Sequence, residues 1–85
     1  MSKDRNMTYK EFQIALIGLN LNIKDFARIL GMNPNSITNY KLKGFVPLQL
    51  AIVINLMQEL HKNQLNYLDV IEKTKRVFSE NIIEN

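Results

Sequence analysis

The stretch from Ile23 to Leu42, IKDFARILGMNPNSITNYKL, decides the fold. It reads as two short helices joined at Gly31, with Phe26, Leu30, Ile37 and Tyr40 at the spacings of a shared apolar core. Ala27 is small where the two helices cross. Gly31 can take the positive φ that ends the first helix, after which Met32 turns back into the core. The second helix starts with Asn33 as N-cap and Pro34 at the first helical position, where the missing N–H costs nothing. The pattern predicts a helix-turn-helix.

The same start signals recur upstream. Asn22 caps the first helix of the pair, with Leu21 and Phe26 packed across it as a hydrophobic staple, and Met32 and Ile37 do the same for the second. Thr8 to Glu11 is a capping box, with Met7 and Phe12 as its staple. Helices are therefore expected at about 9–18, 23–30, 34–43 and 47–62, with a break near Asn63 and a fifth helix at about 64–81. Strand signals are absent. The fourth helix is apolar nearly all round, from Leu48 to Leu60, which marks it as the central helix of the bundle.

Through Phe26, Ala27, Leu30, Gly31, Met32, Ile37 and Tyr40, and through Gly44-Phe45-Val46-Pro47, the chain resembles the phage repressor and Cro-like (XRE-type) helix-turn-helix family. The resemblance covers about residues 8–60. It implies a small four- to five-helix, lambda-repressor-like all-α bundle and a regulatory role in transcription, of phage or mobile-element type. Ile23 stands where many members carry a phosphate-contacting Gln, and the run from Ile37 to Gly44 is one residue longer than is common.

The 85 residues make one domain, with a bundle core over 8–62 and a C-terminal helix over 64–82. The absence of Cys fits a reducing cytoplasm. The N-terminus is short and polar, unlike a secretory signal. The apolar run Leu48 to Met57, interrupted by Gln49 and Asn55, falls short of the ~20 residues of a membrane span. A cytoplasmic protein without membrane contact is expected. The net charge of +3 is unevenly placed: seven Lys or Arg face three Asp or Glu in residues 1–45, against four and five in residues 46–85. The basic half carries the helix pair, as expected if that face meets a polyanion.

With Ile37 and Tyr40 facing the core, a 100° helical step points Asn35, Asn39 and Leu42 outward, flanked by Ser36, Thr38 and Lys43. Asn35 and Asn39, supported by Ser36 and Thr38, are then the candidate base readers. An Asn amide can both donate and accept, matching adenine N6 and N7, and the helix at 34–43 carries no Arg to read guanine. Asn33, Lys41, Lys43, Arg28 and Lys24 are candidate phosphate contacts, with capping the first role of Asn33. A solvated face alone would favour Lys, Glu or Gln over Asn, Ser and Thr, which are poorer helix formers.

Catalysis is not expected. His61 is the single histidine, at a helix end that suits its charge, and there is no cysteine, no ligand cluster and no glycine-rich phosphate loop. No cofactor or metal is expected either. Double-stranded DNA is the expected partner, read by a homodimer on two half-sites. The apolar side of the last helix, Leu65, Leu68, Ile71 and Phe78, either joins two protomers or packs back within the chain. The alternative function is a protein-interaction module, an antitoxin or adaptor, in which that helix grips a protein partner.

Overall fold

A computed structural model describes residues 6–83, with side chains described as far as Phe78. Six helices follow one another: α1 (Tyr9–Gly18), α2 (Ile23–Leu30), α3 (Pro34–Thr38), α4 (Tyr40–Lys43), α5 (Leu48–Lys62) and α6 (Tyr67–Ile83). The fold is all-α. Its one extended feature among the described residues is an antiparallel bridge between Thr8 and Phe45, where Tyr9 N–H donates to the Gly44 carbonyl and Val46 N–H to that of Met7, each at 3.0 Å. That bridge ties the start of α1 to the connection between α4 and α5.

The helix starts follow from their caps. Thr8 Oγ1 accepts from the Glu11 N–H at 3.0 Å while the Glu11 carboxylate accepts from the Thr8 N–H at 2.9 Å, so two otherwise orphaned donors are satisfied. Asn22 and Asp25 form a second reciprocal box at α2. Asn33 Oδ1 accepts from the Asn35 N–H at 2.9 Å, and Pro34 follows it as the first residue of α3.

Three helix ends close alike. Asn20, Gly31 and Gln64 take φ of 61°, 71° and 63°, and the next residue in each case donates back across the turn: Leu21 to Leu16, Met32 to Ala27 and Leu65 to Leu60, at 2.8–2.9 Å. This places an apolar residue just past each helix; Leu21 and Met32 pack against the core, whereas Leu65 stays exposed.

Phe12, Phe26, Ile37, Val46, Ile54 and Met57 are the largest fully buried side chains. The Phe12 and Phe26 rings meet edge to face at 5.2 Å, and Ala27, without exposure, lets α2 and α3 approach. Among the described residues the buried set is apolar or aromatic, and its polar groups are the Tyr9 and Tyr67 phenols, the latter 3.5 Å from the Leu19 carbonyl.

The structure departs from the sequence reading at four places. The expected helix 34–43 is divided at Asn39: Asn39 N–H still bonds the Asn35 carbonyl, but Leu42 N–H reaches only to Asn39, so the chain tightens into a three-residue turn there. The last helix starts at Tyr67 rather than near Gln64, because the left-handed Gln64 ends α5 and Asn66 Oδ1 then caps Leu68 and Asp69. Leu65 therefore lies in the connection and not on the helical stripe. Finally, α5 is not enclosed. Leu50, Ala51, Ile54 and Met57 are buried, but Leu48, Ile52 and Leu56, four residues apart, are 71%, 48% and 58% exposed and leave one face open.

Candidate nucleic-acid interface

The buried side of α3 is Ile37, which rests among the core residues with Phe26 and Ala27. With that side fixed, Asn35, Ser36, Thr38 and Asn39 stand exposed, and Leu42 on α4 is 90% exposed. Tyr40 packs half-buried against the core. The outward set expected for this segment is thus exposed as a group, although the turn at Asn39 means that one helical wheel does not describe its second half.

The hydrogen bonding separates these residues. The Asn35 and Asn39 amides and the Ser36 hydroxyl make no side-chain hydrogen bond among the described residues, so their donors and acceptors are open to a ligand. Thr38 is different: its hydroxyl lies 3.2 Å from the Asn35 carbonyl and 3.4 Å from that of Pro34, and donates to its own helix. It retains only acceptor capacity. The Asn33 carboxamide oxygen is taken up by the Asn35 N–H, which leaves its amide nitrogen as a donor.

Four cations belong to the helices on either side of this segment. Lys24 and Arg28 on α2 border a shallow depression of about 430 Å³ whose other walls are Met32 and Pro34, so α2 and the start of α3 frame one positively lined hollow. Lys41 and Lys43 lie in the last turn of α4 and do not line that hollow. The single carboxylate between Ile23 and Phe45 is Asp25. It sits at the α2 N-terminus, where it accepts from the Asn22 N–H and pairs with Arg28 at 3.1 Å. An anion approaching that end of α2 meets a carboxylate first, and Arg28 is shared with it. Lys24, Lys41 and Lys43 have no ion-pair partner among the described residues.

Among the described residues no group of three or more His, Asp or Glu could hold a metal ion. His61 stands exposed, with its ring edge-on to Tyr67 at 6.3 Å. The two displaced titrations belong to Tyr9 and Tyr67, both raised by burial. Both are core residues. Lys3 and Arg5, counted in the basic half, lie outside the described residues.

The C-terminal residues divide. Tyr67 is buried, with its hydroxyl 3.5 Å from the Leu19 carbonyl, and Ile71 packs half-buried against the core. Leu65, Leu68 and Phe78 are exposed, Phe78 by 61%. The inward stripe thus serves its own chain as far as Ile71 and then outruns it.

One feature escaped the sequence reading: the role of Asp25 in capping α2 and holding Arg28, which was legible in the spacing Asn22 to Asp25. Leu42, expected to face outward, is exposed and adds an apolar contact beside the Asn face. Among the described residues no helix is long and apolar enough to cross a membrane. Comparison of the chain with family models, curated proteins and solved structures returns no match.

Proposed function

We propose that this chain binds duplex DNA in a sequence-specific way, as a homodimeric transcriptional regulator of repressor type. In this reading α2 and α3 act as a helix-turn-helix. The observation that carries it is the exposed Asn35, Ser36 and Asn39 face over the buried Ile37, without side-chain hydrogen bonds among the described residues, with Lys24 and Arg28 on the preceding helix and Lys41 and Lys43 on the following one. Asn35 and Asn39 read adenine edges, Leu42 meets a thymine methyl, and the lysines neutralise phosphates. Thr38 and Asn33 serve mainly the helix itself. Resemblance to the XRE-type family supports the regulatory role.

One such unit makes few phosphate contacts, so two half-sites about one helical turn apart are needed for selective affinity. Selection from a random duplex library is the direct test. Enrichment of a two-fold, adenine-containing site with affinity that falls steeply with salt supports the reading. Equal, salt-insensitive retention of all sequences rejects it. A second reading, a protein-interaction module of antitoxin or adaptor type, draws on the open apolar face of α5. It predicts a stoichiometric protein partner and no selected site.

A further inference from the structure

Three ion pairs among the described residues join side chains three apart on one helix: Arg28 with Asp25, Lys62 with Glu59 and Lys75 with Glu72. The first differs in what its carboxylate already does. One oxygen of Asp25 accepts from the Asn22 N–H at 3.2 Å, and the other meets Arg28 Nη2 at 3.1 Å. The cap therefore holds the carboxylate, whose side chain is 32% exposed, while the Arg28 side chain is 76% exposed and able to leave.

Between Ile23 and Phe45, Asp25 is the single carboxylate and Arg28 the single guanidinium. Arg28 also borders, with Lys24, Met32 and Pro34, the hollow between α2 and the start of α3, which Asp25 does not line. Of the four cations of this region it alone has the planar fork that grips two phosphate oxygens at once. Among the described residues it is also the one of the four whose charge is cancelled within the chain.

We propose that Asp25 sets the specificity of the interface by competing for Arg28, so that the guanidinium passes from the carboxylate to a phosphate only when the rest of the face is in register. This rests on the reading of that face as a DNA surface. An exposed ion pair is weak in water and gives way to a bidentate phosphate contact once the phosphate is held opposite it. The exchange does not orphan the carboxylate, because the Asn22 N–H stays with it. On a sequence that the Asn face does not match, no phosphate is held there, the pair persists, and the segment meets the duplex with one cation fewer. Asp25 thus lowers affinity for random duplex more than for the selected site.

Asp25→Asn keeps a side-chain oxygen for the Asn22 N–H and leaves its own N–H on Asn22 Oδ1, so the cap and the thermal midpoint are expected to persist. Glu59→Gln is the control: it makes the same change in net charge and releases Lys62 from an equivalent pair. Affinity is measured across a range of salt for the selected duplex, for random duplex and for inorganic polyphosphate, which has no bases to read. Asp25→Asn is expected to bind random duplex and polyphosphate about three- to tenfold more tightly, with a log–log salt slope steeper by up to about 0.9, and the selected duplex by less than about twofold. Glu59→Gln is expected to change each by less than about twofold. Arg28→Gln, which leaves the cap intact, is expected to cancel the gain of Asp25→Asn when the two are combined. Equal gains in Asp25→Asn and Glu59→Gln would reduce the effect to net charge and overturn the exchange, as would a gain that survives without Arg28. Equal gains of Asp25→Asn on selected and random duplex would overturn the specificity role. A wild type without duplex selectivity, but with the expected order on polyphosphate, would reject the DNA reading and the specificity role with it, while the competition for Arg28 stands. Unchanged polyphosphate affinity in Asp25→Asn would overturn that competition whatever the outcome on DNA.

Discussion

Helices α2 and α6 solve opposite problems. With eight residues, α2 places Phe26 and Ala27 wholly in the core, caps its start reciprocally and closes its end at Gly31. With seventeen residues, α6 buries Tyr67 and half-buries Ile71 while Val77 and Phe78 stand in solvent. The shorter helix is fixed on its core side and at both ends, and the longer one is anchored at its start. Length and apolar content therefore say little about what a helix contributes to its own fold. What matters is whether a body lies opposite the stripe.

The largest test of that contrast is a pair of truncations. Phe26→Ala should cost about 3–5 kcal/mol, a large part of the stability of so small a domain. Phe78→Ala should stay within about 0.5 kcal/mol of wild type at protein concentrations that keep the chain monomeric. Urea denaturation reads both. A comparable loss in the two variants would show that Phe78 is covered within its own chain.

Removing a residue of the exposed Asn face separates the proposed function from stability. Asn39→Ala should weaken binding to the selected DNA site by about 1–3 kcal/mol and leave nonspecific binding nearly intact. Its thermal midpoint should hardly change, since the Asn39 side chain is exposed and makes no hydrogen bond among the described residues. Equal losses on selected and random duplex would assign Asn39 to the scaffold.

The helix ends offer a third comparison. Gly31→Val forces a β-branched residue to φ of 71° and should destabilise by at least about 1–2 kcal/mol. Gln64→Gly, at φ of 63°, should instead stabilise by up to about 1 kcal/mol, because it relieves the same strain where α5 ends. Opposite shifts of the thermal midpoint are expected.

The smallest effect concerns pH. Burial raises the Tyr9 and Tyr67 phenols above the ordinary value of 10.0, so the folded chain keeps both protons where the unfolded chain begins to lose them. Their contribution is complete below pH about 10 and is lost as pH rises past it. A titration of tyrosinate absorbance should show two groups ionising late and releasing with unfolding, and Tyr67→Phe should remove one of them.

The sequence by itself determined what depends on residues within about five positions of one another. Thr8 with Glu11, Asn22 as a cap, Asn33 before Pro34 and the left-handed Gly31 are local solutions to orphaned backbone groups, and each stands where its residues predict. The exposure of Asn35, Ser36 and Asn39 follows from Ile37 by the same local geometry. Tertiary structure decided the rest. An apolar pattern states that a face avoids water but not what lies opposite, so the open side of α5 and the overrun of α6 past Ile71 depended on where the neighbouring helices end. Gln64 carries no sign of its positive φ, which goes with the turn that returns the Leu65 N–H to the Leu60 carbonyl at the end of α5. The bridge between Phe45 and Thr8, a residue far away in the chain, is likewise a tertiary contact that no local pattern announces.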